Sequence, residues 1–376
     1  MARKTIVISA VNLRVGGTLT ILRDCLSYLS SLAAAGDYEV VALVYKRELA
    51  DYAHIRYIET QWPKKSWVNR LWYEYISLKD ISKAIGPVHL WLSLHDTTPN
   101  VVAEKRAVYC HNPYPFYDWK WQEWFLSPKI VLFALCSEFI YRKNIRKNDF
   151  VIVQQQWLKD AFKQLFKLPQ DKIVVALPDA PKWTARPADH LRSHGQDYVF
   201  VYAASPNSHK NFECICKAAD ILKAEGLYQF KVYLTVSGTE NTYAEWLYKR
   251  WGKSNAVLEF IGFQDRQTLF VYYDEADCLL FPSRVETWGL PITEFAALEK
   301  PMLLADLPYA HETAAGAGQV AFFDPAAPEE LAAKMKRLIQ GDTTFLQALP
   351  LKQVEPPVVR SWAALFDILL QTREGA

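Results

Sequence analysis

Two glutamates, Glu286 and Glu294, bracket a Thr-Trp-Gly-Leu-Pro stretch inside the run 281–294, which reads as a strand end, a tight loop and a helix start. Pro291 marks the first helical position, where a missing N–H costs nothing and the fixed φ suits a helix. The backbone amides near Gly289, Leu290 and Ile292 are then expected to face the space ahead of the helix. Unsatisfied N–H groups and the helix dipole together attract an anion. Gly289 lets a ligand come close to the backbone. Glu286 from the loop and Glu294 from the helix can each take a hydrogen bond from a hydroxyl. An anion and several hydroxyls in one place describe the two ends of a nucleotide-sugar.

Other segments add polar groups where apolar runs end. Lys210, in Ala204-Ser205-Pro206-Asn207-Ser208-His209-Lys210-Asn211-Phe212, sits where a strand gives way to a helix, and its point charge would strengthen an anion site. Asn12-Leu13-Arg14-Val15-Gly16-Gly17-Thr18 follows the first apolar run. Its paired glycines permit a close backbone approach, and Thr18 can cap the next helix. The spacing is neither the Gly-x-Gly-x-x-Gly dinucleotide fingerprint nor a Gly-Lys-Ser/Thr phosphate loop; a tight turn accounts for the two glycines equally well. His111 lies at a strand's carboxyl end, placed for ligand contact or for a structural role. His95 and Asp96 mark a further polar strand end. The Asp274-Glu275-Ala276-Asp277 stretch straddles a helix end and a strand and forms no Asp-x-Asp metal triplet. Fixed protein groups are therefore expected in place of a metal.

The glutamate pair also raises hydrolysis. Glycosidase carboxyls stand about 5 Å apart for retention and about 6.5–9.5 Å for inversion. Eight positions along a continuous helix span about 12 Å, and a loop shortens this by an amount that spacing does not give. Geometry disfavours hydrolysis on that count.

The elements that must position these groups alternate along the chain. Strand-like runs at 5–11, 39–45, 89–94, 107–111 and 150–154 are separated by helical stretches near 18–35, 67–84, 129–142 and 157–167. Prolines at 178, 181 and 187 and the run 192–195 have linker composition. The rhythm then resumes with strands at 198–203, 230–236, 257–261, 278–281, 301–305 and 319–323. Helices are expected near 211–225, 241–252, 266–274, 291–299 and 328–340, with a final amphipathic segment at 359–371. This βαβ order predicts an α/β protein with two doubly wound parallel sheets, residues 1–185 and 186–355, followed by a terminal segment 356–376. Open α/β sheets bind ligands outside the carboxyl ends of their strands, so the expected site is the cleft between two such sheets.

Composition narrows the class. Half the residues are apolar (51%), which excludes a disordered chain, and 14% are aromatic, including 13 Trp. Six cysteines without metal spacing read as reduced and mostly buried, which predicts a cytoplasmic protein. The N-terminal apolar run is short and β-branched and reads as a buried strand rather than a signal peptide, and no run reaches membrane-spanning length. Residues 1–185 carry a formal charge of +8 and residues 186–376 of −6. Basic residues alternate with aromatics at 62–73, and a basic run lies at 142–147. The basic half points to an anionic surface, a membrane leaflet in preference to nucleic acid, although a solvated helix face has the same composition.

The Glu286/Glu294 pair around Trp288-Gly289-Leu290-Pro291 resembles the signature of the retaining GT-B glycosyltransferases of family 4. The resemblance is strong in the second half of the chain and looser in the first. It implies the GT-B fold, two Rossmann-like domains facing across a cleft, with the terminal helix crossing back to the first. It also implies Lys210 on the donor phosphate, Glu294 on the ribose, Glu286 on the donor sugar and His111 approaching that sugar. Gly289, Leu290, Ser205, His209, Gly16 and Gly17 are expected to line the donor side, with Arg14, His95 and Asp96 toward the acceptor. The family usually carries an arginine where this chain has Ser205, and His209, Arg284 and Arg14 are the candidates to compensate. The implied activity is metal-independent, retaining transfer from a UDP- or GDP-sugar to a saccharide acceptor. A lipid-linked acceptor at the inner membrane face, in bacterial O-antigen or capsule assembly, fits the basic first half. A sugar-nucleotide epimerase and a non-catalytic binding subunit are the alternatives.

Overall fold

The computed structural model describes residues 3–178, 197–253 and 255–371. The expected hinge residues Pro181, Pro187 and Arg192 to Gly195 lie outside these. Fourteen strands are described: β1 (Lys4–Ser9), β2 (Tyr38–Val44), β3 (Ile55–Glu59), β4 (Val88–Ser93), β5 (Lys105–Tyr109), β6 (Phe150–Val153), β7 (Ile173–Ala176), β8 (Tyr198–Tyr202), β9 (Phe230–Leu234), β10 (Leu258–Phe260), β11 (Cys278–Phe281), β12 (Met302–Ala305), β13 (Val320–Phe323) and β14 (Val358–Val359). They form an eight-stranded sheet in the order β14-β7-β6-β5-β4-β1-β2-β3 and a six-stranded sheet in the order β10-β9-β8-β11-β12-β13. The strand pairings within both sheets are parallel.

Both sheets carry the 3-2-1-4-5-6 order of a Rossmann fold. Chain order reverses between β1 and β4 in the first and between β8 and β11 in the second. At such a reversal the connections on the two sides run to opposite faces of the sheet, which opens a crevice at the strands' carboxyl ends.

The strands read as continuous apolar runs because both faces are covered. In β1, Ile6 and Ile8 enter one buried cluster together with Val40, Ala42, Leu90 and Leu92. Val7 enters the other, with Val41, Leu43 and Trp91. Alternate residues of a strand point to opposite faces, so each neighbour serves a different core. The first cluster is closed by helix Gly16–Ala34 and by the C-terminal helix Trp362–Leu370, whose Leu365, Phe366 and Leu369 are buried in it. The second is closed by Tyr73 and Leu78.

Three strands are absent from the sequence expectations: β3, β7 and β14. β3 is an edge strand of sequence IRYIE, half exposed, and its charges suit an unpaired edge while breaking the apolar pattern. β14 has only two residues.

The chain divides into two compact units. Met1–Pro115, Cys136–Asp179 and Val354–Ala376 make up the first, and Phe116–Leu135 with Ala180–Gln353 the second. The segment Phe116–Leu135 follows β5 in sequence and precedes β6, yet it belongs with the second unit.

Candidate active site

In the second unit, β8 leads into the 3-10 turn Ser208–Lys210 and then helix Phe212–Ala224, while β11 leads into the loop that carries Glu286. Because β8 and β11 are neighbours at the reversal point, these two connections meet. Lys210 Nζ forms an ion pair with Glu286 Oε1, both side chains being mostly buried. Ser283 Oγ donates to the same oxygen at 2.7 Å. Backbone and side-chain bonds tie the two loops together around this pair. The Arg284 N–H donates to the His209 carbonyl at 2.8 Å, and the Asn211 amide donates to the Pro282 and Pro325 carbonyls at 3.1 and 2.8 Å. Tyr202 Oη donates to the Lys210 carbonyl at 2.7 Å and Tyr309 Oη to the Ser283 carbonyl at 2.6 Å. Asn211 itself adopts the left-handed region at φ 59°, which asparagine tolerates better than most residues.

Arg284 points its guanidinium at protein carboxylates. Nη1 donates to Glu123 Oε1 at 2.6 Å, and Nη2 to Glu213 Oε1 and Asn211 Oδ1, both at 2.8 Å. Burial works against its charge, but Glu213, Tyr117 and Glu123 outweigh that and hold its pKa above the usual value. His209 is buried, and burial pushes its pKa well below the usual range, with the charges of Lys210 and Arg284 adding to the effect. Neither residue adds net positive charge beside Lys210. Of the three candidates to stand in for the family's arginine, His209 is held toward its neutral form, Arg284 is engaged by Glu123 and Glu213, and Arg14 lies over the Tyr45 ring. Ser205 is exposed on the preceding loop.

Helix Leu290–Ala296 begins one residue earlier than the sequence suggests, with Pro291 in second place and Gly289 at φ 90° before it. The Ile292 N–H donates to the Gly289 carbonyl at 2.9 Å, which corrects the expectation that this amide faces outward unused. Leu290 is partly exposed at the same corner. Glu294 lies with Tyr273 Oη 3.5 Å from Oε2 and Arg266 3.4 Å from Oε1. Burial raises the Glu294 pKa against the opposing effects of Arg266 and Tyr273. The two glutamates therefore have separate partners and separate environments, unlike a pair of carboxyls sharing one reacting bond.

The first unit has its own polar cluster at the reversal point between β1 and β4. Ser9 Oγ and His95 Nε2 are 2.8 Å apart across the two strands, and His95 Nδ1 is 2.8 Å from Glu74 Oε1. All three side chains are buried. Glu74 sits in a π-helical turn, Tyr73–Ser77, a distortion often found near functional sites. Arg70 donates to the His95 carbonyl at 3.0 Å. Asp96, at φ 70°, accepts the His111 backbone N–H at 2.8 Å, and its other oxygen is 3.5 Å from His111 Nε2. Burial lowers the His111 pKa, with Asp96 pulling the other way. The structure thus joins His95, Asp96 and His111 into one cluster.

Gly16 and Gly17 open helix Gly16–Ala34, Gly16 at φ 61°. Thr18 does not cap that helix as expected. It lies within the first turn, and its hydroxyl donates to the Val15 carbonyl at 2.9 Å. Arg14 stacks over the Tyr45 ring, 4.7 Å from its centroid.

Sequence reasoning missed Glu123, Glu213 and Glu74. Each is a lone carboxylate among aromatic or helical residues, and its burial depends on a distant partner. Among the described residues, no group of three or more His, Cys, Asp or Glu is arranged to hold a metal ion.

Residues 188–348 match the model of the family described as glycosyl transferases group 1. Over 250 residues the chain is 20% identical to the O-antigen chain mannosyltransferase RfbU of Salmonella typhimurium, a match covering 64% of either protein. Among solved structures it is similar to sucrose-phosphate synthase from Thermosynechococcus elongatus, with TM-score 0.64, 16% identity and 92% of each chain covered. It is also similar to Anabaena HepE in complex with UDP and glucose, with TM-score 0.62, 14% identity, and 90% of this chain and 91% of the other covered. With the two sheet orders, these likenesses establish the fold as α/β of the GT-B class, built from two Rossmann-like, doubly wound domains.

Proposed function

We propose that the chain is a glycosyltransferase that moves a sugar from a nucleoside-diphosphate sugar to a saccharide acceptor. The observation that carries this reading is the Lys210–Glu286 pair at the β8/β11 reversal point, inside the stretch that matches the group 1 family model. Breaking a sugar–diphosphate bond puts negative charge on the departing phosphate and positive charge on the ring. Lys210 is assigned to the first and Glu286 to the second, so that preformed groups would meet the charge that develops. Glu294, partly desolvated, is assigned to the ribose hydroxyls. His111, pushed toward its neutral form, is assigned to a sugar hydroxyl, and Gly289 with Leu290 to the diphosphate. In this reading transfer proceeds with retention and without a metal, the leaving phosphate helping to deprotonate the acceptor.

The acceptor assignment rests on the name of the O-antigen relative and on the surface of the first unit. Trp67, Val68 and Trp72 are exposed beside Lys64 and Lys65. That mixture suits peripheral contact with an anionic leaflet, and no helix among the described residues is long and apolar enough to cross one. A lipid-linked saccharide in surface-polysaccharide assembly at the cytoplasmic face of the membrane fits both features.

Thermal-shift measurements with UDP and with GDP, in EDTA, test the donor side. Stabilisation by one of them identifies the nucleotide. No stabilisation by either, with or without added divalent metal, would overturn the reading. Donor incubated alone, with its products resolved, separates transfer from epimerisation.

A further inference from the structure

Glu123 comes from a part of the chain remote from the second unit's sheet, in the short helix Glu123–Leu126 of the segment Phe116–Leu135. It is 4% exposed. One oxygen, Oε1, accepts Arg284 Nη1 at 2.6 Å. The other, Oε2, accepts Ser208 Oγ at 3.0 Å and Tyr117 Oη at 2.5 Å. The Tyr117 ring lies edge-on to His209 at 6.0 Å. Ser208 stands two residues before Lys210, and Arg284 two residues before Glu286. One buried carboxylate therefore fastens both loops that present the candidate catalytic pair.

We propose that Glu123 is a positioning residue of the donor site, holding the Ser208–Lys210 turn and the Arg284–Glu286 loop in register so that Lys210 and Glu286 meet. The proposal rests on the glycosyltransferase reading for what the pair does, but not for how it is held. Charge-assisted hydrogen bonds donated to a buried carboxylate are short and directional, and both of its oxygens accept here. Its charge also balances Arg284. Without it, Arg284 keeps only Glu213 as a carboxylate partner, and the loop loses its fixed orientation. The helix Glu123–Leu126 lies within a connection of the first sheet, so the donor site depends on sequence far from the stretch that matches the family model.

The test is hydrogen exchange on the full chain without ligand, comparing wild type, Glu123→Gln and Ser208→Ala. Peptides covering 203–212 and 281–289 are expected to exchange at least about fivefold faster in Glu123→Gln, with a smaller change in Ser208→Ala. Nucleotide affinity and kcat/KM for the donor should both fall about tenfold in Glu123→Gln. The double variant should be no worse than Glu123→Gln alone, because both changes act through one contact. Wild-type exchange in both loops of folded Glu123→Gln overturns the proposal. So does additivity of the two variants. If Glu123→Gln does not fold, unchanged exchange at 203–212 in Ser208→Ala overturns it instead. A wild-type protein that binds no nucleotide sinks the functional reading, while the exchange data still decide whether Glu123 positions the loops.

Discussion

Lys210 and Glu286 are joined by a salt bridge at the point where the second sheet reverses its strand order, and Ser283 Oγ donates to the bridged glutamate oxygen at 2.7 Å. Each member keeps the other's charge satisfied in a mostly buried place before any ligand arrives. A phosphate that draws on Lys210 therefore competes with Glu286.

Lys210→Ala and Glu286→Ala are each expected to lower sugar transfer at least about tenfold with the fold intact by circular dichroism. Removing one partner strands the other's charge, so the double variant should unfold at a higher temperature than either single variant. Full activity in both single variants would remove these assignments.

Glu294→Gln should separate stability from binding. Burial raises the Glu294 pKa, so the folded state holds a proton more tightly than the unfolded one. At pH above both values the ionised carboxylate costs stability, and the amide removes that cost. The variant is expected to melt at or above the wild-type temperature at neutral pH while binding nucleotide more weakly, a trade typical of binding residues. Thermal melts and calorimetric titration on one preparation check both halves.

His209 and His111 make acid behaviour predictable. Both have pKa values lowered mainly by burial. Above the unfolded value of about 6.5 both states are neutral and the pair contributes nothing. Below it the unfolded chain takes up protons that the folded chain refuses, so stability falls with pH until the folded values are reached. Melting temperature should drop below about pH 6.5, and His209→Gln should flatten part of that slope. An identical pH profile in the variant would assign the acid sensitivity elsewhere.

Gly289→Ala tests the corner before helix Leu290–Ala296. Gly289 has φ 90°, and an added Cβ would lie 3.3 Å from Ile292 Cδ1. The left-handed backbone alone costs a side chain about 1–2 kcal/mol. The variant should lose about that much by urea titration and bind nucleotide more weakly, whereas alanine at an exposed helical site would do neither.

Phe366→Ala reports on the terminal helix. Phe366 is fully buried against the first unit's core, its ring 5.5 Å from that of Tyr28. Losing it should cost about 3–5 kcal/mol, measured by denaturant titration. A loss under about 1 kcal/mol would mean the helix is docked loosely.

The sequence alone determined the alternation of strands and helices, because a strand covered on both faces must be apolar throughout and a covering helix apolar on one side. It placed β11 at its observed bounds and the start of the helix that carries Glu294 to within a residue, since Gly and Pro fix local backbone whatever surrounds them, while that helix ends three residues short of the expected 299. Lys210 and Glu286 were both legible as strand-end polar groups. Tertiary structure alone decided that they touch, because β8 and β11 become neighbours only when the sheet adopts its 3-2-1-4 order. It decided also that Arg284 serves Glu123 and Glu213, and that His95 rests between Ser9 and Glu74. Short-range pattern follows from the chemistry of neighbouring residues, while charge pairing depends on which distant segments the buried sheet brings within about 3 Å, a distance that no local spacing encodes.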